Sequence, residues 1–362
     1  MTRSFADLPG LVEKLLARHD RVALVYFDAF GWRFFERHGE HALFRNAEAD
    51  KWELQFPSTT TAHTTTIHTG LPVGEHGLYE WHVYEPRLDR LITPLWFCFA
   101  GDDRHDTLLA AGLRPEDVFP FPTLYERLGV PCHVEMPASF AWSPPNSRLL
   151  SGADVYGFGL PAHGLGRLAR ALAGEERAYA TIYLPALDAL MHAEGPESPG
   201  AAPVIEATQT AIATARWAEG TCVLLTADHG MAAISPERTS YVNVVWPELS
   251  RHLEHGADGE PLAPAGSARD LFLHVVPERL DDVRVELSRR LEGKADVRRV
   301  DDGLFADVGA ALRERLANLV VLPHEGAAAY WLDPPRFEQR FRGQHGGLTA
   351  NEMEIPLVSW NA

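Results

Sequence analysis

The stretch Thr221-Cys222-Val223-Leu224-Leu225-Thr226-Ala227-Asp228-His229-Gly230 decides the fold. Its first six residues are uncharged and rich in aliphatic side chains, which reads as a strand buried on both faces. The run then stops on an acid, a histidine and a glycine. The same pattern recurs: Val22 to Phe27 runs into Asp28, and Tyr179 to Leu184 reaches Asp188 after a short loop containing Pro185. Further apolar runs at Cys132 to Met136, Leu319 to Leu322 and Ile355 to Trp360 are interleaved with helical patterns at Pro161 to Ala173 and Pro203 to Ala218. Strands alternating with helices predict an α/β fold, a mostly parallel central sheet with helices on both faces.

The texture changes between Ser235 and Leu316. Gly/Pro/Ala-rich linkers around Gly256 to Gly266 precede an alternating strand pattern at Leu271 to Val276, helical spacing at Leu280 to Leu291 and an extended pattern at Asp296 to Val300. This predicts a small inserted α+β cap over 235–316, folding as a lid on a core made of 1–234 and 317–362, with the core resuming near Asn318. Met1 to Asp20 reads as an amphipathic helix through Leu8, Leu11, Val12, Leu15 and Leu16.

Composition narrows the function. Of 362 residues, 46% are hydrophobic and 23% charged, ordinary for a globular protein. The net charge of −17 repels polyphosphate backbones and argues against a nucleic-acid polymer as partner. No apolar run reaches the ~18 residues of a membrane helix, and the N-terminal pattern lacks the apolar centre of a secretion signal, so the expected location is cytoplasmic, away from membranes. Cys98, Cys132 and Cys222 are odd in number and unevenly spaced, which suggests buried free thiols. Nothing in the sequence speaks to oligomeric state.

In open α/β sheets ligands bind outside the carboxyl ends of the strands, so Asp28, Asp188 and Asp228 should converge on one rim. Asp188 and His192 share a face if Leu187 to Ala193 is helical, and Asp228 and His229 are adjacent where the chain turns. Each pair alone has an ordinary explanation, Asp228 as a helix cap for instance. Gly343-Gln344-His345-Gly346-Gly347 adds a histidine whose flanking glycines suit either close approach to a site or a surface turn. The most unusual segment, Pro57-Ser58-Thr59-Thr60-Thr61-Ala62-His63-Thr64-Thr65-Thr66-Ile67-His68-Thr69-Gly70, fits a strand edge, a Ser/Thr turn or a loop opening a helix. In the last case a hydroxyl at the helix start beside metal ions would make an activated nucleophile. His63, His68, His76 and His82 fit capping, packing and solvent-facing roles.

Together these residues resemble the alkaline phosphatase superfamily, specifically its type I phosphodiesterase/nucleotide pyrophosphatase family. Asp28, the Pro-Ser-Thr-Thr segment leading to Thr69-Gly70-Leu71-Pro72 and Glu75-His76-Gly77, Asp188 with His192, Thr226-Ala227-Asp228-His229-Gly230-Met231 and His345-Gly346-Gly347 occur in the family's order across 28–347. The resemblance implies an alkaline phosphatase-like fold and two divalent metal ions, zinc first and manganese second. It assigns Asp188, His192 and His345 to one ion, and Asp28, Asp228 and His229 to the other, whose shell the nucleophile completes. The family nucleophile lies three residues after the proline and nine before the Thr-Gly pair, which selects Thr60, with Thr59 and Thr61 as the neighbouring choices.

One departure stands out: where the nucleotide pyrophosphatases place an asparagine to hold a phosphoryl oxygen, this chain has Trp81, which is either a donor through its indole N–H or an aromatic packing element. The resemblance implies attack of the Thr60 alkoxide on phosphorus, then hydrolysis of a phosphothreonine, with retention. Asp and neutral His suit Zn²⁺ or Mn²⁺, and three-ligand open sites are the catalytic kind. The expected partner is a small phosphate ester or nucleotide-like substrate. Rival expectations are a phosphomonoesterase or phosphonate hydrolase on the same scaffold, and a non-catalytic binding protein, for which a missing ligand would be the sign. Trp52, Tyr79, Trp81 and Trp142 are candidate flat surfaces for an aromatic substrate group.

Overall fold

The computed structural model describes residues 4–362, so Met1 to Arg3, where the N-terminal helical pattern begins, lie outside the described residues. The helix itself spans Leu8–Leu16 after a short turn at Phe5–Asp7, and it buries Leu8, Val12 and Leu16. Its neighbour is the first of seven strands in the large sheet. These are β1 (Arg21–Phe27), β2 (Glu48–Glu53), β3 (Cys132–Pro137), β4 (Asp154–Phe158), β5 (Ala178–Leu184), β6 (Thr221–Thr226) and β7 (Glu354–Asn361), arranged in the order β2-β7-β6-β1-β5-β3-β4.

Strands β6, β1, β5, β3 and β4 run parallel, and β7 is antiparallel to both β6 and β2. All six residues of β6 are buried, as are Val22 to Phe27, which is why these strands read as unbroken apolar runs rather than alternating ones. Pairing of Phe27 with Leu184 and of Tyr26 with Thr226 brings the carboxyl ends of β5, β1 and β6 level. The helix Pro161–Ala173 packs on β3 and β5, burying Leu165, Leu168 and Leu172.

Strand β2 gives no apolar signal: of Glu48-Ala49-Asp50-Lys51-Trp52-Glu53 only Trp52 is buried. Charges along an edge strand discourage further pairing while backbone bonds to β7 hold it in place.

A second body contains a four-stranded antiparallel sheet, ordered Ala265–Gly266, Leu271–Leu273, Leu319–Pro323, Ala295–Arg299, with the helix Leu280–Arg290 burying Val283 and Leu287. The strand, helix, strand pattern expected of the insertion is therefore present. The expected return to the core near Asn318 is not. Leu319–Pro323 pairs with Leu271–Leu273 and Ala295–Arg299, and the chain rejoins the large sheet only at Glu354. The reason is two-sided burial: Val320 and Leu322 enter one apolar cluster while Leu319 and Val321 enter another, so the strand has the texture of a central parallel one. Residues from 83–99 also join this body, since Val83, Ile92 and Phe97 share a cluster with Phe272 and Val320. All three cysteines are free and buried. Among the described residues no helix is long and apolar enough to cross a membrane.

Candidate active site

The order β6-β1-β5 places three acids side by side. Asp28 follows β1 directly, its N–H donating to Leu184 O (3.2 Å). Ala29 then turns the chain with φ 61°, a left-handed conformation unusual for alanine, and its N–H donates to Asp228 Oδ1 (3.3 Å). The hydroxyl of Tyr183, one residue from the end of β5, donates to Asp28 Oδ2. Asp188 lies on the helix Ala186–Glu194 with His192 one turn later, and His192 Nε2 is 3.3 Å from Asp188 Oδ1. His229 Nε2 is 3.3 Å from Asp28 Oδ1 and 3.4 Å from Asp228 Oδ2. His345 comes in from the glycine-rich turn, its Nε2 3.9 Å from Asp188 Oδ1, with its ring stacked on that of His229.

The threonine segment is a helix, Thr60–Thr69, ending on Gly70 in the left-handed conformation (φ 73°). It is buried on every side after Thr60, and two of its hydroxyls bond back to the preceding turn, Thr65 Oγ1 donating to Thr61 O and Thr69 Oγ1 to Thr65 O, each at 2.7 Å. Thr60 is the first helical residue, and its Oγ1 lies 3.0 Å from His229 Nε2. Its neighbours Thr59 and Thr61 are buried, Thr59 reaching Glu80 and Thr61 Oγ1 having no partner. Thus one hydroxyl of the run faces the acids and histidines, at the end of a helix whose free N–H groups favour negative charge.

The three histidines are held in a single orientation. Nδ1 of His192 lies 2.9 Å from Gly343 O, that of His229 2.8 Å from Gly230 O, and that of His345 3.0 Å from Ser58 O. A carbonyl only accepts, so each Nδ1 carries the hydrogen. Burial lowers His229 and His345 well below the ordinary histidine range, which keeps these rings neutral with a lone pair on Nε2. Those lone pairs face carboxylate oxygens. Asp28 Oδ1, Asp188 Oδ1 and Asp228 Oδ2 are buried with no hydrogen-bond partner, and burial first, then neighbouring acids, raises Asp28 well above the carboxylate range. Acceptors set against acceptors in a buried site are answered by a proton or a cation, and the donor set, Asp oxygens and neutral His nitrogens, fits a borderline divalent metal. Among the described residues two compact groups of such donors occur, Asp28 with Asp228 and His229, and Asp188 with His229 and His345. His229 belongs to both, and His192 joins the second through Asp188.

Trp81 is half-buried, edge-on to Trp96 at 5.1 Å, and its ring is also near His82. Trp52 and Tyr79 are buried core residues, unlike Trp142, which is 66% exposed. His63, His68, His76 and His82 are none of them solvent-facing. His63 bonds Thr59 O, His68 the Tyr125 hydroxyl, His76 Thr66 and His82 Thr93, all in buried positions where desolvation holds the rings neutral. Sequence reading passed over Tyr183 and Ser58. Tyr183 sits in an apolar run where its hydroxyl gives no periodic signal, and Ser58 is masked by the threonines after it.

The family model for type I phosphodiesterase/nucleotide pyrophosphatase matches residues 22–348. Among solved structures, murine ectonucleotide pyrophosphatase/phosphodiesterase 5 superposes with a TM-score of 0.67 at 15% identity, over 93% of this chain and 87% of that one. The human protein of the same name gives 0.66 at 16% identity, over 93% and 87%. Phosphonoacetate hydrolase from Sinorhizobium meliloti, in complex with phosphonoformate, gives 0.63 at 16%, over 94% and 90%. An inactive variant of the murine protein is in complex with AMP. No curated protein matches the chain in sequence.

Proposed function

The chain belongs to the type I phosphodiesterase/nucleotide pyrophosphatase family, enzymes of phosphoester hydrolysis, and from that premise we propose that it is a two-metal phosphodiesterase acting on small, nucleotide-like esters through a phosphothreonine on Thr60. The observation that carries the reading is the facing of three His Nε2 lone pairs and three unpartnered Asp oxygens across one buried site. Asp28, Asp228 and His229 would hold one ion, and Asp188, His192 and His345 the other. Zinc is the first assignment and manganese the alternative. When bound, such a pair supplies Lewis acidity and lowers the pKa of a nearby hydroxyl.

The chain's own residues then do the following. The Thr60 oxygen, deprotonated at the helix start, forms a bond to phosphorus as the bond to the leaving oxygen breaks. Water cleaves the phosphothreonine in a second displacement and restores the hydroxyl, so configuration at phosphorus is retained. Tyr183 holds Asp28 in place, and the backbone carbonyls behind the histidines fix their rings. Trp81, at the position of the family's asparagine, is assigned a hydrogen bond from its indole N–H to a phosphoryl oxygen. Three ionised aspartates and two divalent ions leave the site at about one positive charge, which suits an anionic ester inside an acidic protein.

Metal analysis coupled to a panel of chromogenic phosphodiester, phosphomonoester and phosphonate substrates tests this. About two ions per chain and faster turnover of diesters are expected. Undiminished turnover after exhaustive chelation rejects the metal reading, and a preference for the monoester or phosphonate reassigns the substrate class.

A further inference from the structure

Residues 267–270, in the second body, converge on the turn that bears His345. Ser267 Oγ lies 3.1 Å from His345 O and 2.6 Å from Asp270 Oδ1, sharing its one proton between two acceptors. Arg269 is 1% exposed and makes a two-pronged pair with Glu352, both bonds 2.9 Å, while its Nη1 donates to His324 O and Ala327 O. Glu352 in turn accepts from the N–H of Gly347 (3.0 Å). At Gly346, where φ is +118°, an added Cβ would meet Asp270 Oδ1 at 2.6 Å, Ser267 Oγ at 2.8 Å and Glu80 Oε1 at 3.0 Å.

Ser58 holds the other side. Its Oγ donates to Gly347 O (2.8 Å) and accepts from Gly346 N–H (3.1 Å), and its carbonyl accepts from His345 Nδ1. Glu80 and Asp270 are fully buried against each other, and Glu80 also reaches Thr59, beside the proposed nucleophile. Burial raises both acids above the ordinary carboxylate range. Glu80 Oε1 and Asp270 Oδ2 are both buried without a hydrogen-bond partner, and two carboxyls this close cannot both ionise, so a single shared proton would join them between the second body and the core.

We propose that Ser267, Arg269 and Asp270, with Glu80, are positioning residues for His345, gripping the Gly346–Gly347 turn so that the metal site is complete only when the second body is docked. This rests on the two-metal reading above. The residues act by fixing where Nε2 of His345 points.

The test uses the full chain and zinc alone as probe. Zinc stoichiometry and dissociation constants by chelator competition, kcat and KM on a chromogenic diester, and the melting temperature of the zinc-free protein are compared for wild type, Asp270→Ala, Asp270→Asn and Ser267→Ala. Asp270→Ala should bind one of the two ions about 10- to 100-fold more weakly, leave the other unchanged, and lower kcat more than KM. Asp270→Asn keeps an acceptor for Ser267 and gains a donor for Glu80, so it should rescue both affinities to near wild type. Ser267→Ala, which leaves the acid pair intact, should weaken the same single ion and serves if Asp270→Ala does not fold. Both ions bound at wild-type affinity by folded Asp270→Ala or Ser267→Ala overturns the inference, as does loss of both ions together in step with a lowered melting temperature. Three ions in the wild type and two in Asp270→Asn also overturn it, since the acid pair would then hold a cation rather than a proton. A wild type that binds no zinc sinks the two-metal reading itself, and the positioning role with it.

Discussion

Replacing Thr60 by alanine isolates the nucleophile from everything else in the site. Thr60 Oγ1 sits 3.0 Å from His229 Nε2, whereas Thr59 and Thr61 are buried and Thr59 reaches Glu80 instead. Neighbouring Cα atoms are about 3.8 Å apart and point roughly 100° away around a helix. A substitute hydroxyl would therefore be misplaced by several ångströms. Since about 1 Å of misplacement costs on the order of 10²-fold, neither neighbour can rescue the reaction, and a loss on the order of 10⁴-fold or more in kcat is expected. The fold should be indifferent. Thr60 is only partly buried at the first helical position, where alanine is the better helix former, so stability should change by less than about 1 kcal/mol. Turnover of a chromogenic diester, zinc content and thermal melting are measured together on Thr60→Ala, Thr59→Ala and Thr61→Ala, with mass spectrometry of wild type quenched on a slow substrate. Near-normal turnover in Thr60→Ala, with no covalent adduct in the wild type, would refute nucleophilic attack by threonine while leaving the metal donors in place. Phosphate found on Thr59 or Thr61 would show that the register assigned within the run is wrong.

Asp228→Asn should halve the zinc content, because it removes one charged donor from the group with Asp28 and His229 and leaves the group around Asp188 intact; retention of both ions at wild-type affinity would count against that assignment. Arg269→Met should cost about 3–5 kcal/mol in denaturant unfolding, since Glu352 would be left as a buried carboxylate without its cation. A cost below about 1 kcal/mol would mean that Glu352 takes up a proton instead and that the pair is dispensable. His68 is held by burial at about 3, below its ordinary value of 6.5, so the folded state refuses a proton that the unfolded state accepts. Its contribution to stability is thus present above pH 6.5 and falls by about 1.4 kcal/mol per unit as pH drops toward the folded value. His68→Gln, measured with chelator present, should flatten the acid limb of the stability profile by that slope. An unchanged limb would show that the buried ring is already charged.

The strand ends were legible because their physics is local. An apolar run buried on both faces announces β1, β5 and β6, and the acid that stops each run marks the rim where parallel strands open. The offset between Asp188 and His192 was equally readable, since one helical turn is all it requires. Two kinds of element were not. Glu48 to Glu53 becomes a strand only because β7 offers an unpaired edge, and its own residues, mostly charged and all exposed except Trp52, carry no period. Leu319 to Pro323 carries the right texture for the wrong sheet, because two clusters in the second body bury it as completely as helices bury a central strand. The grip on His345 belongs to the same class. Ser267, Arg269 and Asp270 lie far from His345 in the chain and from one another in chemistry, and only tertiary contact gives them a common object.

That contact also bears on how so acidic a chain handles an anionic substrate. Among the described residues the two most deeply buried arginines are committed elsewhere, Arg269 to Glu352 and Arg315 to Glu85. Unpartnered aspartate oxygens line the site instead, so by itself it would repel a phosphate ester. On the two-metal reading, attraction would come from ions that the aspartates collect, and the number of ions held would decide whether the site is a trap or a barrier for the substrate. Binding of a slow diester or its product should accordingly depend on metal occupancy more steeply than on ionic strength: emptying either site turns about one positive charge into a net negative one, whereas salt only screens charges in solvent. Equilibrium titration of the product against zinc occupancy, at two salt concentrations, separates the effects. Product binding that survives chelation but collapses in high salt would place the attraction on surface cations and would contradict an electrostatic role for the buried aspartates.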